Sequence, residues 1–400
     1  MTIVNKRLLF VGVSSMPDHA GQDKLYFLAH ELGLSGIPVT VLVPDLEANR
    51  NFFADKPHVE TRFYRPGSAA MDAIRKSRVV DEALWTAIWV VGVGLRSFIV
   101  RGRRSCRIPL IKDFDEFPSM IESIGSFRRQ YLRFIERRMI GQAEAFTCAS
   151  AYLEYAVRQQ RPALGNRLLR LRVAISSAEF EIDVNLVRRL RESANGRPVF
   201  LYVGSVNRMY EQQIVELIKL AIVLRTRGSP AKVIIAGTGP DVEYFKRKVA
   251  SARVGDSLEF AGYVRRNGDL AAHMAAAQVL IFPFPGTAFN ISRCPTKAFH
   301  YAAANRPVVT NMTGEVATLF GDAALYYPEG DAQALADRCQ EALARTEGFS
   351  NGIPFSTLTW KARAQEFEQW LDVQGWLPPR SQAVVGQEGR LEPRPSRRMA

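Results

Sequence analysis

Two runs of alternating apolar strands and amphipathic helices, separated by a polar stretch near residue 195, constrain the fold of this chain more than any other feature. In the first run, an apolar segment at 8–13 leads through a turn-rich loop into a helix with apolar residues at i, i+3, i+4 and i+7, and a second strand follows at 39–43. The second run begins with a buried strand at Pro198 and continues to the PVVT segment. Such β-α-β units form parallel sheets with right-handed crossovers. The sequence therefore predicts an α/β protein with two doubly wound domains.

The 400-residue length suits two domains of ordinary size and a tail. A helix with tryptophan and phenylalanine on one face follows the second run, and the last residues are rich in proline and arginine, with little to bury. The predicted segments are an N-terminal domain (1–195), a C-terminal domain (196–358), a helix that packs back on the N-terminal domain (359–376) and a disordered tail (377–400).

Basic residues outnumber acidic ones, for a formal charge of +13. An excess of this size indicates an anionic partner. Solvated helix faces, an anionic membrane surface and a polyanionic acceptor all remain open, whereas nucleic acid is disfavoured because no recognition module accompanies the charge. The basic residues cluster in two groups of the first half, Arg96, Arg101, Arg103, Arg104, Arg107 and Lys112, and then Arg128, Arg129, Arg133, Arg137 and Arg138.

The most apolar stretch, ALWTAIWVVGVGL at 83–95, is interrupted by two glycines and ends at an arginine. It is shorter than the ~20 residues that a membrane span requires, so a buried strand running into a helix is the better interpretation. The four cysteines are far apart and form no CxxC pair, which favours a reducing compartment over a disulfide framework or a zinc site. We expect a cytoplasmic protein.

Two loops after strands of the second half have the composition of ligand loops. Gly204 and Arg208 follow the strand that ends at Val203, and the GTGP turn places Gly237, Thr238 and Gly239 before the next helix. Glycine lets the backbone approach a ligand closely, and an arginine at this edge of a sheet can meet a diphosphate. Ordinary strand-to-helix turns have the same composition, so each loop alone is a weak signal.

The SRCPTKAFH segment gives the strongest signal of a binding site. Pro295 suits a helix start, which puts Lys297 in the first turn, His300 three residues on along the same face, and Arg293 just before the helix. Cations near a helix N-terminus are unfavourable for the helix, and a bound anion would offset that cost. We therefore interpret Arg293 and Lys297 as ligand groups.

The segment FHYAAANRPVVTNMTGEVATLFGDAALYYPEGD resembles a conserved stretch of the family-4 glycosyltransferases. The segments YVGS, IIAGTGP, LEFAGYV and VLIFPF precede it in the order typical of that family, so the resemblance covers about residues 198–345. It implies the GT-B fold, in which two Rossmann-like domains face each other across a cleft. It also implies retaining transfer from a nucleoside-diphosphate sugar without a required metal ion.

The resemblance assigns roles to particular residues. Arg208 corresponds to a phosphate-binding cation of the family, and with Lys297 it is expected to stabilise the leaving diphosphate. Glu315 lies in the family's Gly-Glu step and is expected on the sugar side of the site. The predicted donor-binding residues are Gly204, Gly237, Thr238, Gly239, Arg293, His300 and Glu315.

Acceptor-side residues are expected in the first half. Gly21 lies where the family has a glycine-rich acceptor loop, and His19 in the same loop is a candidate for acceptor contact or proton relay. Asp113 and Asp115 of the DFDE run are expected to line the cleft, although a D-x-D pair can also hold a divalent ion.

Three positions depart from the family pattern. Met209 replaces a lysine, Ser292 replaces an acid, and His300 replaces the glutamate that usually grips the ribose. A histidine can still bond a ribose hydroxyl, and restoring the acid by His300→Glu is expected to retain or tighten donor binding.

We therefore expect a transferase that moves a sugar from a UDP- or GDP-type donor to a saccharide or lipid-linked acceptor, with no cofactor required. A peripheral position at the inner membrane face is compatible with the basic first half. A GT-B protein that binds sugar nucleotide or glycan without transferring it is the alternative. A nucleotide-sugar epimerase is a third, less favoured, hypothesis.

Overall fold

A computed structural model describes residues 6–14, 23–82, 84–265 and 268–380. Two wholly parallel sheets of seven and six strands organise these residues, with helices between successive strands. The predicted α/β architecture with two doubly wound sheets is confirmed. The predicted tail falls almost entirely outside the described residues, as do His19 and Gly21.

The first sheet has the strand order β3-β2-β1-β4-β5-β6-β7. Its strands are β1 (Arg7–Val11), β2 (Val39–Pro44), β3 (Val59–Tyr64), β4 (Trp85–Val90), β5 (Leu110–Phe114), β6 (Ala145–Cys148) and β7 (Leu168–Arg170). The helices are α1 (Asp23–Leu34), α2 (Glu47–Phe53), α3 (Ala69–Val80), α4 (Ser126–Gln142) and α5 (Ala151–Gln160).

The second sheet has the order β10-β9-β8-β11-β12-β13. Its strands are β8 (Val199–Val203), β9 (Lys232–Ala236), β10 (Leu258–Gly262), β11 (Val279–Phe282), β12 (Val308–Thr310) and β13 (Ala324–Tyr326). The remaining helices are α6 (Val184–Ser193), α7 (Glu211–Thr226), α8 (Val242–Ser251), α9 (Gly268–Ala276), α10 (Ala288–Ser292), α11 (Thr296–Ala304), α12 (Gly314–Phe320), α13 (Ala332–Ala344) and α14 (Trp360–Val373).

Helices cover both faces of each sheet, and the central strands are apolar throughout for this reason. Every residue of β2 and of β11 is buried. β4 lies within the most apolar stretch of the sequence and is likewise almost wholly buried, as the strand interpretation predicted. Among the described helices, none combines the length and the apolar character needed to cross a bilayer.

The strand order reverses direction once in each sheet, between β1 and β4 and between β8 and β11. In open parallel sheets, ligands bind beyond the carboxyl ends of the strands at this reversal. The loops that follow β1, β5, β8 and β11 are therefore the places in which functional side chains are expected.

Contacts of the helices before and after the second half connect the two halves of the chain. Helix α14 packs against α1, and the Trp370 Nε1–H donates to the carbonyl of Asn166 at 2.8 Å. Helix α6 packs against α9, and Arg191 donates to the carbonyl of Ala275 at 3.1 Å. The boundary near residue 195 stays a prediction, and α6, which precedes it, lies against the second half.

Candidate functional site

Three loops are joined by backbone hydrogen bonds at the carboxyl ends of β8, β9 and β10. The Gly204 N–H donates to the carbonyl of Ala236 and the Val206 N–H to that of Thr238, each at 3.0 Å. The Gly237 N–H donates to the carbonyl of Gly262 at 2.7 Å. The bonds extend the sheet pairing into the loops and give a fixed floor beyond the strands.

The glycines of these loops allow contacts that no side chain would permit. A Cβ on Gly237 would lie 1.8 Å from the carbonyl oxygen of Gly204, and a Cβ on Gly239 would lie 2.2 Å from that of Val206. A Cβ on Gly204 would lie 2.5 Å from Lys297 Nζ. Close packing between the loops is therefore one physical reason for these glycines, which the sequence predicts to bind a ligand.

Gly237→Ala is expected to lower the free energy of unfolding by about 1–3 kcal/mol, because the added methyl group meets backbone rather than a movable side chain. Urea denaturation measures the loss. Gly255→Ala is the matched control, since a Cβ at that exposed position meets nothing within 4 Å. Equal stability of the two variants would contradict the packing argument.

Arg208 lies on the outer side of this floor. Its N–H donates to Asp241 Oδ2 at 2.9 Å, its guanidinium lies 3.5 Å from Asp241 Oδ1, and it covers the ring of Tyr244 at 4.4 Å. The side chain is 63% exposed. Asp241 therefore already provides a counter-charge for Arg208, the residue that the sequence predicts to bind the diphosphate.

Lys297 lies in the first turn of α11 and points toward the end of β8. Its ammonium donates to the Tyr202 hydroxyl at 3.0 Å and lies over the rings of Tyr202 and Phe282. Burial, and then the charge of Arg293, lower the pKa of Lys297 well below its ordinary value. No carboxylate of the described residues lies within ion-pair distance of it.

Arg293 lies between α10 and α11 and is held by neutral groups. Its guanidinium donates to Asn290 Oδ1 at 2.8 Å and to the Tyr210 hydroxyl at 3.1 Å, and the rings of Phe284 and Phe289 flank it. It too has no ion-pair partner in the described part of the chain. Two cations without an ion-pair partner in the described residues thus lie at the N-terminus of α11, where the helix dipole already favours an anion.

His300, predicted to contact the ribose, is buried and already bonded on both sides of its ring. Nδ1 lies 3.0 Å from the carbonyl of Thr296, and Nε2 lies 2.6 Å from Glu179 Oε2. Both ring nitrogens therefore already have an oxygen partner within the protein. A bond from this ring to a ribose hydroxyl would require one of these contacts to open.

The effect of His300→Glu on donor binding stays a prediction, but this contact gives the substitution an expected cost in stability. A glutamate at 300 would face Glu179, and two buried carboxylates cannot share the contact without taking up a proton. We expect a loss of about 1–3 kcal/mol in the free energy of unfolding at neutral pH. Chemical denaturation of His300→Glu, and of the exchanged pair Glu179→His with His300→Glu, measures it. A single variant as stable as the exchanged pair would contradict the pairing.

Glu315 and Ser292 connect the two halves of the chain. Glu315 Oε1 accepts from the Ala151 N–H at 2.7 Å, at the start of α5, and Oε2 lies 2.8 Å from Arg172 Nε. The Ser292 carbonyl accepts from the Ser150 hydroxyl at 2.5 Å. The protein therefore already uses both carboxylate oxygens of Glu315, and its predicted sugar-side role stays a prediction.

The DFDE run surrounds a lysine. Lys24 Nζ lies 3.1 Å from Asp113 Oδ1 and 3.5 Å from Asp115 Oδ1, and the Thr147 hydroxyl also donates to Asp113. Burial alone would lower the pKa of Lys24, but the two carboxylates outweigh it and raise the pKa above its ordinary value. The Lys24 ammonium lies between the two carboxylates, where a divalent ion would lie if the D-x-D pair bound a metal. No cluster of metal ligands occurs in the described residues.

Glu116, next in the run, faces the second half. Burial raises its pKa to about 7, the neighbouring Asp115 adds to this, and Arg293 opposes it. This carboxyl therefore connects the acceptor-side loop electrostatically to Arg293, just before α11. Sequence reasoning did not single it out, nor Lys24 or Glu179, because burial and long-range pairing have no local sequence signal.

The second half of the chain matches the model of a known family. The family model for group 1 glycosyl transferases matches residues 197–345. This part of the chain is therefore similar to group 1 glycosyl transferases. No match was found among curated protein sequences.

Solved structures extend the likeness in fold to most of the chain. It is similar to HepE of Anabaena in complex with UDP and glucose (TM-score 0.69, 14% identity, covering 92% of this chain and all of that one). It is also similar to sucrose-phosphate synthase of Thermosynechococcus elongatus (TM-score 0.67, 15% identity, 92% and 99% covered). A third is WaaG, a glycosyltransferase involved in lipopolysaccharide biosynthesis (TM-score 0.58, 16% identity, 92% and 96% covered). The chain therefore has the GT-B fold.

Proposed function

We propose that this protein is a group 1 glycosyl transferase and, more specifically, a family-4-type hexosyltransferase. It moves a sugar, with retention, from a nucleoside-diphosphate donor to a saccharide or lipid-linked acceptor. The observation that carries the proposal is the pair Arg293 and Lys297, two cations without carboxylate partners in the described residues, which meet beside Gly204 at the N-terminus of α11. This arrangement suits the diphosphate of a nucleotide sugar.

The same groups supply the chemistry. When the sugar leaves, negative charge develops on the diphosphate, and fixed cations with a helix N-terminus stabilise that charge in place of a metal ion. Because these groups are held by Tyr202, Asn290 and Tyr210 before any ligand arrives, little reorganisation is needed. Closure of the two halves would exclude water and suppress hydrolysis of the donor.

The proposed nucleotide base of the donor rests on similarity to solved structures. HepE has been solved with UDP-glucose, and a further similar protein, MnaA of S. aureus, with UDP. We propose a UDP-type donor first and a GDP-type donor second. We also propose a cytoplasmic protein that works at the membrane face.

Calorimetry with UDP-, GDP- and ADP-sugars tests the donor, and a transfer assay with saccharide and lipid-linked acceptors tests the reaction. We expect one donor to bind below millimolar concentration, with affinity and transfer unchanged by EDTA. Absence of binding to every donor at millimolar concentration would overturn the proposal. Loss of transfer in EDTA would overturn its metal-free part.

A binding protein without transfer activity is the second candidate. Two observations favour it: the His300 ring is bonded to Glu179, and the Ser292 hydroxyl donates to the carbonyl of Phe289 at 2.8 Å, so both departing side chains already have partners within the protein. This candidate predicts donor binding with no transfer to any acceptor tested. An epimerase would instead convert free donor without an acceptor.

A further inference from the structure

Helix α4 exposes a stripe of aromatic side chains. Phe127 is 90% exposed, Tyr131 43% and Phe134 60%. The spacing of four and then three residues places them on one line along the helix. Glu136 and Ile140, on the opposite side of the helix, are buried, whereas the aromatic stripe is exposed.

Arginines border this stripe on both sides. The exposed ones are Arg128, Arg133, Arg137 and Arg138, and none of them has an ion-pair partner in the described residues. The one acidic residue within α4, Glu136, points inward, where its carboxylate accepts from the N–H and the hydroxyl of Ser119. The exposed face therefore combines apolar rings with uncompensated positive charge.

Three large rings in water are unfavourable, and a contiguous exposed apolar stripe marks an interaction surface. Rings and arginines on one helix face suit the boundary between lipid headgroups and acyl chains, where the rings enter the apolar layer and guanidinium groups bind phosphates. A second copy of this chain fits poorly, because antiparallel pairing of the stripe would bring arginine against arginine.

The position of α4 connects this surface to the cleft. The helix follows the carboxyl end of β5, and Glu122, in the loop before it, accepts from the Phe289 N–H of α10 at 3.4 Å. Phe127, at the start of α4, is therefore on the cleft side of the first half. A surface bound along α4 would lie next to the mouth of the cleft.

We infer that the exposed face of α4 docks on an anionic lipid bilayer, with Phe127, Tyr131 and Phe134 inserted between headgroups and the four arginines on lipid phosphates. The inference goes beyond the proposed reaction, because it depends on no residue of the donor site. It assigns the predicted anionic partner to one of the two basic clusters in the sequence.

Co-sedimentation of the full chain with vesicles tests the inference. We expect binding to vesicles with one third phosphatidylglycerol and little binding to pure phosphatidylcholine. The double variants Phe127→Ser with Phe134→Ser, and Arg128→Glu with Arg138→Glu, should each bind about tenfold or more weakly. Tyr155→Ser and Arg247→Glu, exposed residues on α5 and α8, are matched controls and should bind normally.

Binding to anionic vesicles that survives both double variants would overturn the assignment to α4, and so would absence of binding by the unmodified chain. Self-association lost in the same variants, or equally tight binding to a single-stranded oligonucleotide, would assign the surface to another partner and overturn the lipid inference. Donor affinity should be unchanged in all of these variants. The vesicle result is therefore separate from the fate of the proposed reaction.

Discussion

Replacing Lys297 by alanine is expected to lower kcat by about a hundredfold to a thousandfold, or about 3–4 kcal/mol of transition-state stabilisation. The ammonium lies at the head of α11 without a carboxylate partner in the described residues, so its charge is available to a leaving diphosphate. Stability should not fall with activity, because burial disfavours this charge in the free protein. Steady-state turnover and thermal denaturation measure the two effects.

Arg293→Lys provides a second test of the same cluster. Lysine keeps the charge but cannot donate to Asn290 and Tyr210 in the fork geometry of arginine, so kcat should fall although the charge is retained. Lys219→Ala, on the exposed side of α7, is the matched control and should turn over normally. Normal turnover in both Lys297→Ala and Arg293→Lys would remove this site from the reaction.

The lowered pKa of Lys297 gives donor binding a pH dependence. A bound diphosphate favours the charged ammonium, so binding raises this pKa and takes up a proton. Affinity for a UDP-sugar should therefore decrease as pH rises from the lowered pKa toward the ordinary lysine value. Calorimetry in buffers of different ionisation enthalpy counts the proton, and Lys297→Arg, always charged, should abolish its uptake.

The fold could be predicted from the sequence because its signals are local. The apolar strands, the amphipathic helices and the restart near residue 195 all repeat within windows of a few residues. The end of α11 is of the same kind, because asparagine tolerates the left-handed conformation that follows a helix, and Asn305 at that position has a φ of +50°. Such features depend on the chain immediately around them.

The site could be predicted only in part because its decisive contacts are long-range. Lys297 and Arg293 could be placed at a helix start from their spacing to Pro295. The partner of His300, Glu179, is 121 positions away, and nothing in either segment indicates the pairing. The same holds for Glu315 and the start of α5, where the fold brings together two segments of unrelated local pattern.

Lys24 is the clearest case of a long-range contact that the sequence does not indicate, because its sequence context is that of an ordinary charged residue early in a helix. The structure buries it completely against Asp113, whose carboxylate is also completely buried. Lys24→Met is expected to lower the free energy of unfolding by about 3–5 kcal/mol, because it leaves a buried carboxylate without its counter-charge. Urea denaturation near neutral pH measures the loss.

Two comparisons separate this mechanism from simple loss of packing. Adding Asp113→Asn to Lys24→Met removes the unpaired charge, so the double variant should recover much of the lost stability; Lys246→Met, an exposed lysine, should lose almost none. The deficit of the single variant should also shrink as pH falls toward the ordinary aspartate pKa, because a protonated carboxyl needs no counter-charge. A deficit that is the same at every pH, and that Asp113→Asn does not relieve, would mean that Lys24 stabilises the fold through its methylene chain rather than through its charge.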